Sequence, residues 1–462
     1  MSEHRGGRRP GAGGRTAALV LIATVAVAST TAASGPIDAP KSSEPRVPVA
    51  KSLSFPGLMA SEGTSKPFLR VGKGETLYSR DVLVALPGFK VDLEPTSKAV
   101  HLTLWGNLPG LSDSPALESS VVLHDSKAYD LDFTLLRGRV VMTNIRDKGE
   151  AKVWLRNPSG GIELVLPAKG DAVAIETYGR WLRGVPFSLK HKPGVGPVVM
   201  WEVFCLKGKV EAKASKSSWY MEAPPGPSYF HGNSAEGPAT AGPERRDPPD
   251  WANPKAPRPV LLRVLQEIVG TYTSRLQNKD PDEVVPEMLA VADKLKDVKR
   301  ATLIRRVLVF SLAALDEVDK VVELLETSPA AEVRHAAVIA LRHWIGVTDG
   351  RDRLLYELLQ ETHRFSKAEA EALLQLLHSP FDPEHAETYE TLIAYLSHRK
   401  QAVRELAHWH LVRLAPIGRD IAYDAAAPAE KRQAAVAEWK KRIPAGELPP
   451  VRPESTKKEP AK

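Results

Sequence analysis

The apolar residues of this chain repeat with a period of two up to about residue 222, and with a helical period from about residue 260. In the first part, short alternating runs such as Val100–Trp105 are separated by Gly, Pro, Asn, Asp and Ser. This pattern favours many antiparallel strands in a sandwich or roll. In the second part, Leu261, Val264, Leu265 and Ile268 mark one face of a helix, and similar segments follow to residue 443. The change of period predicts a β domain followed by an all-α domain.

Two stretches of the β part share one frame, which is Leu, a basic residue, Gly, a basic residue and Val. They occupy residues 136–140 and 206–210. Glycine weakens a strand unless the backbone needs its conformational freedom. We therefore predict a bulge or a tight bend at Gly138, and a second one at Gly208.

The N-terminal residues resemble an export signal. Basic residues up to Arg15 precede an apolar run over 17–28, and small residues continue to 33. That order is typical of a secretory signal peptide. The run is shorter than the ~20 residues that span a bilayer, but the small residues lengthen it, so a cleaved signal and an uncleaved anchor both stay open. We predict an exported protein of the periplasm or cell envelope, held in the cytoplasmic membrane by residues 17–33 if the anchor is retained.

The same patterns divide the chain into six segments. They are a signal peptide or signal anchor (1–33), a disordered linker (34–65), a mostly-β domain (66–222), a Pro/Gly-rich linker (223–259), a helical repeat domain (260–443) and a disordered tail (444–462). The net charge of +7 comes largely from the two ends, so no nucleic-acid partner is predicted. Cys205 is the single cysteine, which excludes an internal disulfide and a multi-thiolate metal site.

The helical part contains an internal repeat. An arginine followed three residues later by alanine opens successive amphipathic helices, at Arg334, at Arg404 and more weakly at Arg432. Helix pairs of this kind stack into a solenoid. The three arginines are therefore candidate binding residues along one surface; the alternative is that they hydrogen-bond to the turn of a neighbouring repeat. Ser366 and Glu369 also predict a capping box at one helix start.

These residues resemble two families. The helical part, with its polar turn, Val-Arg and Ala-rich helix, looks like HEAT-type repeats. The β part resembles the FecR-like domain through the segments GETL at 74–77, DVL at 81–83, VDL at 91–93, VHLTL at 100–104 and LRGRV at 136–140. The resemblance implies a domain outside the cytoplasmic membrane that senses or binds partner proteins. The whole layout also looks like large envelope proteins of planctomycete-type bacteria, which implies no particular chemistry.

The FecR resemblance has one departure. Signalling members of that family carry a cytoplasmic sigma-factor-controlling segment before their membrane span. Here only about sixteen residues precede the apolar run, so we expect no direct anti-sigma role.

The sequence predicts no catalytic, cofactor-binding or metal-binding residues. Phosphate-binding glycine loops, the H-E-x-x-H pattern and the G-x-S-x-G elbow do not occur. Asp130 and Asp132 lie two apart on one predicted strand, but a solvated sheet face explains that spacing better than a glycosidase pair. His408 and His410 are two apart on a predicted helix, where they diverge and cannot chelate one ion.

Three functions follow from these observations. The first is a non-enzymatic envelope protein that acts as a scaffold or sensor and binds other envelope proteins. The second is a β sandwich that binds or cleaves carbohydrate, such as a cell-wall polymer or polysaccharide, through Trp105, Trp154 or Trp181. The third is a membrane-anchored transcriptional regulator of the FecR type. A row of exposed aromatic side chains on one sheet face would favour the second.

Overall fold

The computed structural model describes residues 45–63, 67–107, 117–157, 160–192, 194–214, 217–223, 228–234, 244–245, 248–252, 261–276, 279 and 281–450. These residues belong to one compact unit that spans Ser34–Lys462. A strand-rich part is followed by a helical part, as the change of period predicts. The predicted leader, residues 1–33, lies outside the described residues, as does most of the predicted tail.

The strand-rich part is built from short strands and two long ones. The strands are β1 (Pro48–Ser52), β2 (Leu58–Glu62), β3 (Leu69–Arg70), β4 (Thr76–Tyr78), β5 (Asp81–Ala85), β6 (Lys90–Pro95), β7 (Val100–Trp105), β8 (Ser119–His124), β9 (Leu131–Asn144), β10 (Ala151–Asn157), β11 (Gly160–Leu166), β12 (Ala172–Arg180), β13 (Val198–Ala214), β14 (Ser217–Ala223), β15 (Ser228–Asn233) and β16 (Glu244–Arg245). Among the described strands, β9 and β10 run parallel, whereas the other pairs are antiparallel.

The two long strands bend at glycine and change partners there. β9 pairs with β8 and β10 before Gly138 and with β7 and β12 from that residue onward. β13 pairs with β12 and β15 in its first half, and with β14 and β11 from Gly208 onward. Both glycines have positive φ, 99° and 67°. A Cβ on Gly138 would lie 2.2 Å from the carbonyl oxygen of Glu118, so the bend requires glycine. The predicted bends are confirmed.

The structure differs from the prediction at both linkers. Residues 34–65 contain β1 and β2, and residues 223–259 contain β15 and β16. β1 pairs with β4 and β6, and β15 pairs with β13. Pairing with distant strands orders these short stretches, whose own sequence shows little alternation.

The helical part contains ten described α-helices. Its helices are α1 (Leu261–Arg275), α2 (Pro281–Asp293), α3 (Val298–Ala314), α4 (Val318–Thr327), α5 (Ala331–Val347), α6 (Arg351–Glu361), α7 (Lys367–His378), α8 (Ala386–Tyr395), α9 (Gln401–Leu414) and α10 (Ala429–Arg442), with a 3-10 turn at Pro416–Gly418. The capping box predicted at Ser366 and Glu369 is present at the start of α7. Within the described part of the chain, no helix combines the length and the apolar character needed to cross a bilayer.

Helix α5 lies at the centre of the helical part and also contacts the strands. It packs against α3, α4, α6, α7 and α9 and also against β12. Gly179 of β12 and Gly346 of α5 touch backbone to backbone, since a Cβ on Gly179 would lie 1.9 Å from the Gly346 carbonyl oxygen. Glycine at both positions lets the helix approach the strand closely. The strand-rich and helical parts therefore share a packed junction.

Candidate functional site

The repeated arginines Arg334 and Arg404 lie in the first turns of α5 and α9. Each donates from Nη1 to the backbone carbonyls five and six residues earlier, at 2.8 and 2.9 Å for Arg334 and at 2.7 Å twice for Arg404. Those carbonyls belong to the turn that follows the preceding helix. A guanidinium there satisfies acceptors at the negative end of that helix. Each arginine therefore links its own helix to the one before it.

The same two arginines also reach segments farther along the chain. Arg334 donates from Nε to Glu405 of α9 at 2.7 Å and from Nη2 to Asp424 at 2.5 Å. Arg404 donates from Nε to the carbonyl of Ala425 at 2.8 Å. Arg334 is 1% exposed, so its charge depends on these partners. Burial raises the pKa of Glu405 even though the charge of Arg334 opposes the change.

The third arginine, Arg432, lies in the first turn of α10 and is half-buried. Burial lowers the pKa of Arg404, and the positive charge of Arg432 lowers it further. The structure thus brings the three repeat arginines together. In the described residues, Nε and Nη1 of Arg432 have no hydrogen-bond partner. Arg334 and Arg404 are occupied by structural contacts, and a binding role for the three remains a prediction.

The aromatic residues considered for carbohydrate binding do not form a row. Trp181 is 7% exposed and donates from Nε1 to the carbonyl of Ile345 at 3.1 Å, which places it in the junction. Trp154 is on β10, where its ring stacks on Tyr129 with centroids 5.4 Å apart. Trp105 is the last residue of β7, and the Nζ of Lys90 lies over its ring, 5.4 Å from the ring centroid. The three side chains therefore occupy separate surroundings.

The paired aspartates at the start of β9 are bound by arginines. Asp132 receives two hydrogen bonds from Arg156, at 2.7 and 2.8 Å. Asp130 pairs with Arg146 and accepts from the backbone N–H of Lys152 at 2.9 Å. These contacts connect neighbouring strands, so both carboxylates have structural partners.

Two buried polar clusters at the junction escaped the sequence analysis. In the first, Glu118 pairs with Arg137, and His343 Nε2 of α5 lies 3.3 Å from the same carboxylate oxygen. Burial would raise the pKa of Glu118, but the charges of Arg137 and His343 outweigh it and hold that pKa well below its usual range. A carboxylate kept ionised inside the protein is costly unless it is paired, so this cluster fixes the strands against α5.

The second cluster joins the loop after β12 to α6 and α7. Asp352 Oδ2 lies 3.1 Å from His191 Nε2 and 3.4 Å from His378 Nε2. Burial would raise the pKa of Asp352, but hydrogen bonds from His378 and His191 keep it below its ordinary value. The rings of Trp181 and His378 are in tilted contact, with centroids 4.4 Å apart. No motif in the sequence signals these contacts, because they join residues far apart in the chain.

Two histidines near the end of the helical part stay neutral at ordinary pH. Burial lowers the pKa of His408 to about 4 and that of His410 to about 3. His410 donates from Nε2 to the carbonyl of Leu376 at 2.6 Å. Burial likewise raises the pKa of the Cys205 thiol to about 11, so that side chain packs as a small apolar group.

In the part of the chain that is described, no group of three or more His, Cys, Asp and Glu side chains is arranged to hold a metal ion. The structure therefore offers two kinds of polar site, the arginines at the helix starts and the clusters at the junction. Searches of protein-family models, curated proteins and solved structures find no match to this chain.

Proposed function

We propose that this chain is an exported, non-enzymatic envelope protein that acts as an interaction scaffold or sensor. In this proposal the strand-rich part is a FecR-like domain of the sandwich or roll type, and the helical part is a HEAT-like solenoid. The observation that carries the proposal is the arginine contact repeated from α5 to α9.

The repeated contact supports a stacked helical array. Arg334 and Arg404 each bond to the preceding turn and also to a segment farther along the chain, α9 for Arg334 and the loop before α10 for Arg404. A unit that relies on its neighbour for partners of a buried charge is stable only in an array, and arrays of this kind present long surfaces to other proteins. HEAT-like repeats built this way suit a scaffold.

The junction supports a single body that presents both parts together. Trp181, Phe187 and His191 follow β12 and contact α5, α7 and α6. Gln375 of α7 receives from the backbone N–H of Phe187 at 3.1 Å and donates to its carbonyl at 3.0 Å. The junction contacts hold the strand-rich and helical parts together, so a partner that bound one part would find the other in a fixed position, as a sensor requires.

The test is site-directed cross-linking in the envelope fraction of the producing cell. A photoreactive amino acid replaces Leu354 of α6, which is 58% exposed, and in a matched variant it replaces Leu69 of β3, which is 69% exposed. We expect discrete protein adducts from at least one site. Recovery of polysaccharide alone, with no protein adduct from either site, would favour the carbohydrate alternative and overturn the scaffold.

The predicted localisation is tested separately, by mass spectrometry of the mature N-terminus in fractionated cells. Export predicts the protein in the periplasm or envelope, with or without residues 1–33. Recovery of the full-length chain in the cytoplasm alone would contradict this part of the proposal.

A further inference from the structure

A group of three arginines, a histidine and a tryptophan crosses three neighbouring helices, and in the described residues its arginines form no ion pair with a carboxylate. We call it the basic face, formed by Arg306 of α3, His335 and Arg342 of α5, and Trp409 and Arg413 of α9. The two guanidinium groups of Arg342 and Arg413 contact the Trp409 ring, with Cζ 4.9 and 3.5 Å from its centroid. Such cation–π contacts orient the guanidinium groups without neutralising their charge.

Several arginines of the helical part outside the basic face are balanced by carboxylates. Elsewhere, Arg305 pairs with Asp293 and Glu332 at 2.7 and 2.8 Å, and Arg399 pairs with Glu369. Among the described residues, no arginine of the basic face forms an ion pair with a carboxylate. Arg342 donates only to backbone carbonyls, at 2.5 Å to Leu377 and 3.4 Å to Leu376, and Arg413 donates to that of Trp409 at 3.0 Å.

The charges of the basic face are close enough to act on one another. Burial lowers the pKa of Arg342 to about 10, and the charges of Arg413 and Arg183 lower it further. Burial also lowers the pKa of His335 to about 4, together with the charges of Arg413 and Arg306. Like charges held together destabilise the free protein, and a negatively charged partner would relieve that repulsion.

The surroundings of these charges indicate the chemistry of the partner. Ile339 lies between His335 and Arg342 on the same helical face and is partly buried, as is Trp409. Arginine matches the planar carboxylate with two parallel hydrogen bonds, and Trp and Arg are both enriched among the residues that contribute most to binding at protein interfaces. Surfaces that bind phosphate polymers rely on charge to a greater extent than surfaces that bind proteins.

We infer that the basic face binds an acidic segment of a partner protein, with carboxylates on Arg342 and Arg413 and an apolar side chain against Trp409. The inference rests on the proposed scaffold function and names the chemistry of its partner. Arg306 and His335 extend the same face across α3 and α5, so the segment would lie across the helices.

The inference is tested with the full chain and a fluorescent synthetic peptide made of Glu-Glu-Phe repeats, with binding followed by fluorescence anisotropy. We expect the double variant Arg306→Glu/Arg413→Glu to bind at least about tenfold more weakly, because it replaces attraction with repulsion. The matched control is Lys127→Glu/Lys148→Glu, which makes the same charge change at exposed positions of the strand-rich part and should bind like the wild type. Circular dichroism checks folding, and Arg306→Gln/Arg413→Gln replaces the first variant if that one does not fold.

Three results would overturn the inference. They are no binding of the peptide by the wild type at millimolar concentration, an equal loss in the Lys127/Lys148 control, and tighter binding of inorganic polyphosphate than of the peptide.

The cross-linking experiment described for the proposed function separates this inference from the scaffold proposal. If protein adducts persist unchanged in Arg306→Glu/Arg413→Glu, the basic face is not the docking surface although the scaffold proposal stands. If the wild type gives no protein adduct, the scaffold proposal fails on its own.

Discussion

Helices α5 and α9 each carry one arginine in the first turn and another about two turns later, and the two positions have different surroundings. Arg334 and Arg404 are almost fully buried and donate to the turn before their helix and to a segment farther along the chain. Arg342 and Arg413 lie against the Trp409 ring without a carboxylate partner among the described residues. The same residue type in the same helices is therefore bound to the preceding turn at one end, whereas at the other end it lies against Trp409 and donates to carbonyls of α7 or of its own helix.

The two positions differ in whether the arginine side chain can reach the carbonyls of the turn before its helix. A first-turn side chain points back toward the helix N-terminus, where the carbonyls of the preceding turn lie unpaired. Two turns later those carbonyls are out of reach, so Arg342 donates instead to carbonyls at the end of α7, and Arg413 donates to the carbonyl of Trp409 in its own helix. A repeated arginine at a helix start is thus explained by the turn before it, and an arginine farther along needs another explanation.

The largest effect should come from Arg334→Ala. This variant leaves Glu405 buried without its partner and removes the donor to two turn carbonyls, so we expect a loss of about 3–5 kcal/mol in the free energy of unfolding. Urea denaturation at neutral pH measures it. Arg413→Ala serves as the control in the same helical part, and a loss of similar size in both variants would contradict the distinction between the two positions.

A smaller effect is expected from Arg404→Ala. Its guanidinium donates only to backbone carbonyls, so no buried carboxylate is left behind, and we expect a loss of about 2–3 kcal/mol. The corresponding change at Arg432, which is half-buried and has fewer partners, should cost less than about 1 kcal/mol. If Arg432→Ala proves the costlier of the two in urea denaturation, the repeat contact is not what holds the array together.

Acid should destabilise the surroundings of Arg334 and the basic face, because each contains a histidine with a lowered pKa. His408, near Arg334, and His335, on the basic face, each have a pKa of about 4 in the folded protein, below the ordinary 6.5. Between those values the unfolded chain binds a proton that the folded one does not, so stability is full above pH 6.5 and declines as the pH falls toward 4.

Each of these histidines should account for roughly 1–2 kcal/mol of that decline. The measurement is urea denaturation of wild type, His408→Gln and His335→Gln at a series of pH values. Each glutamine variant should show a shallower decline than the wild type. A wild-type stability that stays flat from pH 6.5 to 4 would contradict the low histidine pKa values in both regions.

The smallest effect on stability should come from Arg413→Ala. Its side chain has one backbone hydrogen bond and contacts Trp409, whereas its charge repels Arg342 and Arg419. These contributions largely cancel, so we expect a change within about 0.5 kcal/mol, by thermal or urea unfolding. A loss above about 2 kcal/mol would mean that the end of α9 carries a structural arginine as well.

Local patterns in the chain predicted local structure well. The change of apolar period separates the strand-rich and helical parts, the frames around Gly138 and Gly208 predict the two strand bends, and Ser366 with Glu369 predicts the cap of α7. Of the candidate site, the sequence predicted that Arg334 and Arg404 recur at equivalent places. It also gave hydrogen bonds to a turn as the alternative to a binding role, and the structure shows such hydrogen bonds for both arginines.

The contacts between distant parts of the chain were beyond prediction from these patterns. The strands within 34–65 and 223–259 form because remote strands offer them partners. His343 and Glu118 are 225 residues apart, and Trp181 reaches Ile345 across 164 residues. Arg342 and Arg413 had a weak signal, since each follows a repeat arginine in its helix, but nothing in the sequence places both on Trp409.

The sequence by itself determined where most of this chain's strands and helices form, because backbone geometry repeats every two or 3.6 residues and leaves that period in the apolar pattern. It also determined which arginines stand at helix starts, within reach of the turn before them. Only the tertiary structure decided which charges are neutralised at the junction and which remain free on the basic face. That choice depends on side chains that meet after the strands and helices have packed, and no local spacing encodes which ones meet.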